Sequence, residues 1–234
     1  MIQTELDLLL IEIDLKKRIL ELSHKNNLSH ISSCLNAVKV LAYIYANKKP
    51  EDIVILSCGH AGLALYVVLE KFQNANAAQL LIKHGVHPSR SLEDGIYCSS
   101  GSLGHGLPIA IGMAIAKPDR HVYVICSDGE LGEGSMFEAR QYIQARDIKN
   151  IKSYVLYNHY GAYSKIDFSL SYEAPKFEDV IEFSDEDKPV FLRGLEGHYH
   201  KLTDEEYEEA IKFYNSEEQV AMLQASKNSS RTLQ

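Results

Sequence analysis

Cys34, Cys58, Cys98 and Cys126 are the only cysteines of the chain, and no two of them form a Cys-x-x-Cys pair. A zinc site and a disulfide framework are therefore both unsupported. No block of lysine and arginine appears either, and the formal charge of −8 with a pI near 5.7 argues against a nucleic-acid partner or a membrane surface. Any phosphate must then be held locally, by metal and backbone. No apolar run approaches membrane length, and the N-terminus reads as a mixed acidic and apolar helix rather than a basic leader followed by an apolar core. A reduced cytoplasmic setting is the expectation. A phosphate loop or Gly-x-Gly-x-x-Gly element after the first strand is also missing, which sets generic nucleotide binding aside.

What the chain does have is 234 residues with 45% apolar content, enough to bury a substantial core. The expected organisation is a single domain over 1–224 with a flexible tail over 225–234. Apolar residues recurring at three and four predict helices over 4–23, 34–46, 61–71, 107–116 and 135–146. Thr203 and Glu206 have capping-box spacing for a last helix to about 214. Short β-branched and aromatic runs predict strands over 52–56, 121–126, 153–157 and 189–193, with one short helix within 168–188. The irregular stretch 84–106 is long enough to suggest function. The fold class is α/β, a mostly parallel sheet flanked by helices.

The run 121–126 stops at Ser127-Asp128-Gly129, and the run 153–157 stops at Asn158. One crossover helix joins them, so Asp128 and Asn158 should lie side by side at the carboxyl edge of two neighbouring parallel strands, where open sheets bind ligands. A carboxylate, an amide oxygen and a loop carbonyl are hard oxygen ligands suited to Mg2+ or Ca2+. Magnesium leaves octahedral positions for phosphate oxygens and water, which makes an anionic diphosphate the natural partner.

Asp128-Gly129 followed thirty residues later by Asn158 resembles the thiamine diphosphate signature, Gly-Asp-Gly, about thirty residues, then Asn. Ser127 stands for its usual first glycine. The stretch Asp-Gly-Glu-Leu-Gly-Glu-Gly-Ser-Met-Phe-Glu-Ala (128–139) is similar to the transketolase version. Ser29-His30-Ile31 and Ser57-Cys58-Gly59-His60 resemble two histidine segments of that family, and Gly101-Ser102-Leu103-Gly104-His105-Gly106 resembles its Gly-Ser-Leu-Gly-(Gln or His)-Gly turn. The Gly-His-Pro segment of the family is matched loosely by His84-Gly85-Val86-His87-Pro88. A family histidine before the last acidic helix falls on His198, with His200 as the alternative.

The resemblance covers about 25–205 and implies the diphosphate-binding domain fold of transketolases. It implies Asp128, Asn158 and the Tyr160 carbonyl as metal ligands, and Gly101, Leu103, Gly104, His105, Gly129, Glu130 and Asn158 against the cofactor. It implies His30, His60 and His198 as catalytic residues, and Glu133 and Glu138 at the contact between paired subunits. The family's pyrimidine-binding domain does not follow, so a separate pyrimidine-domain subunit is expected, in a heterotetramer of two of each. The reaction implied is transfer of a two-carbon ketol unit between sugars or sugar phosphates. The rivals are a 2-keto acid decarboxylase, a deoxyxylulose-synthase-like enzyme, and a non-catalytic assembly protein keeping the fold.

Overall fold

The computed structural model describes residues 4–161, 163–166 and 178–231. Its described strands, β1 (Ile53–Leu56), β2 (Val122–Ser127), β3 (Ile151–Tyr157) and β4 (Glu178–Glu182), form one parallel sheet in chain order. Side chains alternate across it, as the two-residue period of a strand requires. Val54, Leu56, Ile125, Tyr154 and Leu156 join one core, while Ile53, Ile55, Val122, Val124, Cys126 and Val155 join the other.

The first core packs under α1 (Glu5–Lys25), α2 (Ile31–Asn47), α3 (Gly62–Gln73), α4 (Ala77–His84) and α7 (Asp204–Arg231). The second packs under α5 (Gly106–Ala116) and α6 (Gly134–Arg146). Helix starts follow local chemistry. The Thr4 hydroxyl accepts from Asp7 N at 3.1 Å to cap α1, and Asn76 Oδ1 accepts from Gln79 N at 3.0 Å to cap α4. Pro108 enters α5 in its first turn, where its missing N–H has no intrahelical partner to lose. Among the described residues no helix is long and apolar enough to cross a membrane.

The parallel sheet and the expected helices are present; α4 was not expected, α2 starts three residues early, and three further places differ. Residues 189–193 are not a strand: Val190–Leu192 is a 3-10 turn, with Val190 70% exposed. The further strand is β4, inside the span read as carrying a short helix, of which 168–177 lies outside the described residues. Its Val180 is 39% exposed, so an edge strand of this composition carries little apolar signal. Finally, α7 does not stop near 214 but runs through Arg231, including most of the expected tail; residues 232–234 lie outside the described ones. Ala210, Tyr214 and Ala221 are buried along it, and Lys17 of α1 pairs with Glu218 at 2.5 Å.

Candidate functional site

Ser127 of β2 is in register with Leu156 of β3, so the residues just past the two strands are neighbours. The Asp128 carboxylate accepts from Gly129 N at 2.9 Å through Oδ1 and from Asn158 N at 3.0 Å through Oδ2. Asn158 Oδ1 in turn accepts from Tyr160 N at 2.9 Å, closing a small turn after β3. Gly161 N to Ser164 O and Ile166 N to His159 O then fold the loop back on itself. Asp128 is 3% exposed, and burial pushes its carboxyl up to about 6 despite those backbone donors.

A cavity of about 240 Å³ opens over these tips. Asp128, Gly129, Asn158, Tyr160 and Gly161 make its floor; Gly101 and Leu103 make one side. His30, His60, His87, His198, Tyr199, Ser33 and Asn36 also line it.

The histidines arrive from distant segments. Gly59 lets the turn after β1 press against the 100–101 backbone, since an added Cβ would stand 2.5 Å from Gly101 N. That approach carries His60 into the cavity. His30 opens α2 with φ of 61°, and its N–H donates to His198 O at 3.1 Å. The three predicted histidines thus form a triangle, with ring centroids 5.4 Å (His30 to His60), 4.8 Å (His30 to His198) and 5.7 Å (His60 to His198) apart. Burial first, then the neighbouring imidazoles, lowers His60 to about 3 and His30 to about 4, and burial lowers His198. All three are neutral at pH 7, so each can donate from one ring nitrogen and accept at the other.

Several expected residues lie elsewhere. His200 turns away, its Nε2 2.9 Å from Glu206 Oε2, which leaves His198 as the cavity histidine. His105 is exposed at the start of α5 and does not line the cavity. Glu130 is fully buried and directed inward, accepting from Ser57 Oγ at 2.5 Å and from Gly104 N and Ser127 N at 2.9 Å each. It ties the tips of β1 and β2 to the 101–106 turn and does not reach the cavity. Gly104, with φ of 78°, is packed under α6: a Cβ would stand 2.6 Å from Ser135 Oγ and 2.7 Å from Glu133 Cβ. Glu133 and Glu138 are exposed.

His87, Ser33, Asn36 and Tyr199 are cavity residues that the sequence did not single out. The loose Gly-Val-His-Pro match was the signal for His87. Ser33 and Asn36 follow His30 at helical spacing, a signal hidden because α2 was expected to begin at 34 rather than Ile31.

The residues present fit a divalent cation and a diphosphate. Among the described residues no lysine or arginine lines the cavity and no three His, Cys, Asp or Glu side chains cluster as metal ligands. With the Asp128 carboxylate in the cavity and no cationic side chain on its wall, a cation between that carboxylate and a diphosphate would offset their like charges. One carboxylate, one amide oxygen and a carbonyl are a donor set that leaves magnesium room for phosphate oxygens. A Cβ on Gly129 would meet nothing nearer than Ser127 Oγ at 3.8 Å, so the glycine leaves open space that a side chain would occupy.

A parallel sheet covered on both faces, with a carboxylate and an amide at adjacent strand tips under a histidine wall, defines a cofactor-binding α/β domain. Residues 72–225 match the family described as thiamine pyrophosphate enzyme, C-terminal TPP binding domain, and the chain belongs to that family. It is 37% identical to an apulose-4-phosphate transketolase subunit from Phocaeicola vulgatus over 144 residues, 53% of this chain and 51% of that protein. It is 30% identical to the 6-deoxy-6-sulfo-D-fructose transketolase subunit SqwG of a Clostridium species over 166 residues, 62% of this chain and 60% of that protein. A transketolase from Leishmania mexicana shares the fold with a TM-score of 0.64 at 15% identity, covering 96% of this chain and 47% of that one. The chain spans about half the length of the first curated relatives it matches. Relatives and fold together make it a transketolase-like member of the family.

Proposed function

We propose that the chain is the diphosphate-binding subunit of a two-component, transketolase-like enzyme that moves a two-carbon ketol unit between sugars or sugar phosphates in the cytoplasm. The observation that carries this reading is the contact between Asp128 Oδ2 and Asn158 N at adjacent strand tips beneath three neutral histidines. The subunit names of the relatives support a partner, and their named substrates support a sugar acceptor or donor.

Asp128, Asn158 and the Tyr160 carbonyl would hold Mg2+ (Ca2+ being the alternative), and Gly101, Leu103 and Gly129 would let the diphosphate approach the backbone. Thiamine diphosphate, when bound, supplies the carbon nucleophile and electron sink for breaking the bond beside a ketose carbonyl. His30, His60 and His198 orient the substrate hydroxyls and, being uncharged, accept or return a proton at them. A separate pyrimidine-domain polypeptide completes the cavity, in an assembly of two copies of each, with Glu133 and Glu138 on the face between paired subunits.

The test is Asp128→Ala. Thiamine diphosphate affinity measured calorimetrically in magnesium should weaken on the order of 100-fold, with the circular dichroism spectrum unchanged. Unchanged affinity would refute the site. Ketol transfer from a ketose donor should appear only after a pyrimidine-domain partner is added.

A further inference from the structure

Asn36 is 3% exposed on α2, and among the described residues its side-chain Nδ2 meets no hydrogen-bond acceptor. A buried, unpaired amide donor destabilises a fold, and asparagine is also a poorer helix former than leucine. Folding alone gives no reason for this residue. Its position gives one: Asn36 lines the cavity over Asp128 and is the lining residue shared with a larger cavity of about 720 Å³ between α1, α2 and α7.

His30, Ser33 and Asn36 follow one another at three-residue steps, so the first two turns of α2 present all three to the cavity. That wall carries no formal positive charge. A hydroxyl, both donor and acceptor, matches an amide, a serine hydroxyl and a neutral imidazole. The diphosphate side of the cavity is supplied by other segments, the tips of β2 and β3.

We propose that Asn36 is a specificity-determining residue whose Nδ2–H donates to a hydroxyl or carbonyl oxygen of a sugar substrate lying along α2. This rests on the reading of the cavity as a ketol-transfer site, and the measurements keep the two apart. The 234-residue chain, with and without thiamine diphosphate and magnesium, is titrated with D-xylulose 5-phosphate while the Asn36 side-chain amide is followed by nitrogen-15 NMR. The amide resonance should shift on saturation. Asn36→Leu should bind the ketose roughly tenfold more weakly, the worth of one neutral hydrogen bond, with cofactor affinity within about twofold of wild type and Tm equal or higher.

A static amide signal, unchanged ketose affinity in the variant, or an equal loss of cofactor and ketose binding would each overturn the assignment. So would absence of ketose binding to the wild-type chain, which would leave the cofactor reading standing. Failure of the cofactor to bind would overturn the proposed function alone, since the unloaded titration still decides Asn36. Should Asn36→Leu not fold, Asn36→Ala is judged by the same affinities.

Discussion

Glu130 shows how a single side chain can be misjudged from its neighbours in sequence. It stands in the signature stretch beside Asp128, and resemblance places it against the cofactor, yet its three donors come from Ser57, Gly104 and Ser127. Two of those partners are 73 and 26 residues away, so only tertiary contact reveals the role. Glu130→Gln replaces one accepting oxygen with an NH2 group that faces a donor. We expect a loss of about 2–3 kcal/mol and a Tm lower by roughly 5–10 °C in a thermal melt; an unchanged Tm would mean the tie is dispensable. By contrast Asp128 and Asn158 were legible as the residues that end two strands, and His30 and His60 through the family resemblance of their segments; all four line one cavity.

At the level of elements, strands buried on both faces and helices with a clear apolar period were legible, and the exposed strand β4, the short α4 and the end of α7 were not. β4 (Glu-Asp-Val-Ile-Glu) has acidic residues at three of its five positions and an exposed valine, so its pattern is faint, while the apolar run 189–193 is a turn whose Val190 faces outward. The continuation of α7 past Tyr214 rests on long-range packing against α1, with Ala221 buried and Lys17 paired to Glu218. A chain ending at Tyr214 should therefore melt several degrees lower than the full one, with the loss visible as earlier exposure of α1 amides in hydrogen exchange. Equal melting of the two would show the last turns of α7 to be ornamental.

For the molecule as a whole, the neutral histidine cluster sets an acid limit. His60 has a folded-state pKa of about 3 and His30 one of about 4, both below the ordinary 6.5. As pH falls below 6.5 the unfolded chain takes up protons that the folded chain refuses, so stability present above that pH is lost progressively toward pH 4 and below. Melting temperature should fall across this window, and His60→Asn should flatten the slope; an identical slope in the variant would locate the acid sensitivity elsewhere.

The Glu130 tie has a mechanical corollary. Because one carboxylate knots two strand tips and the glycine turn together, none of the three can yield without tugging on the others. A guest pressing on any of them meets the stiffness of all, and the shape of that corner is set before anything arrives.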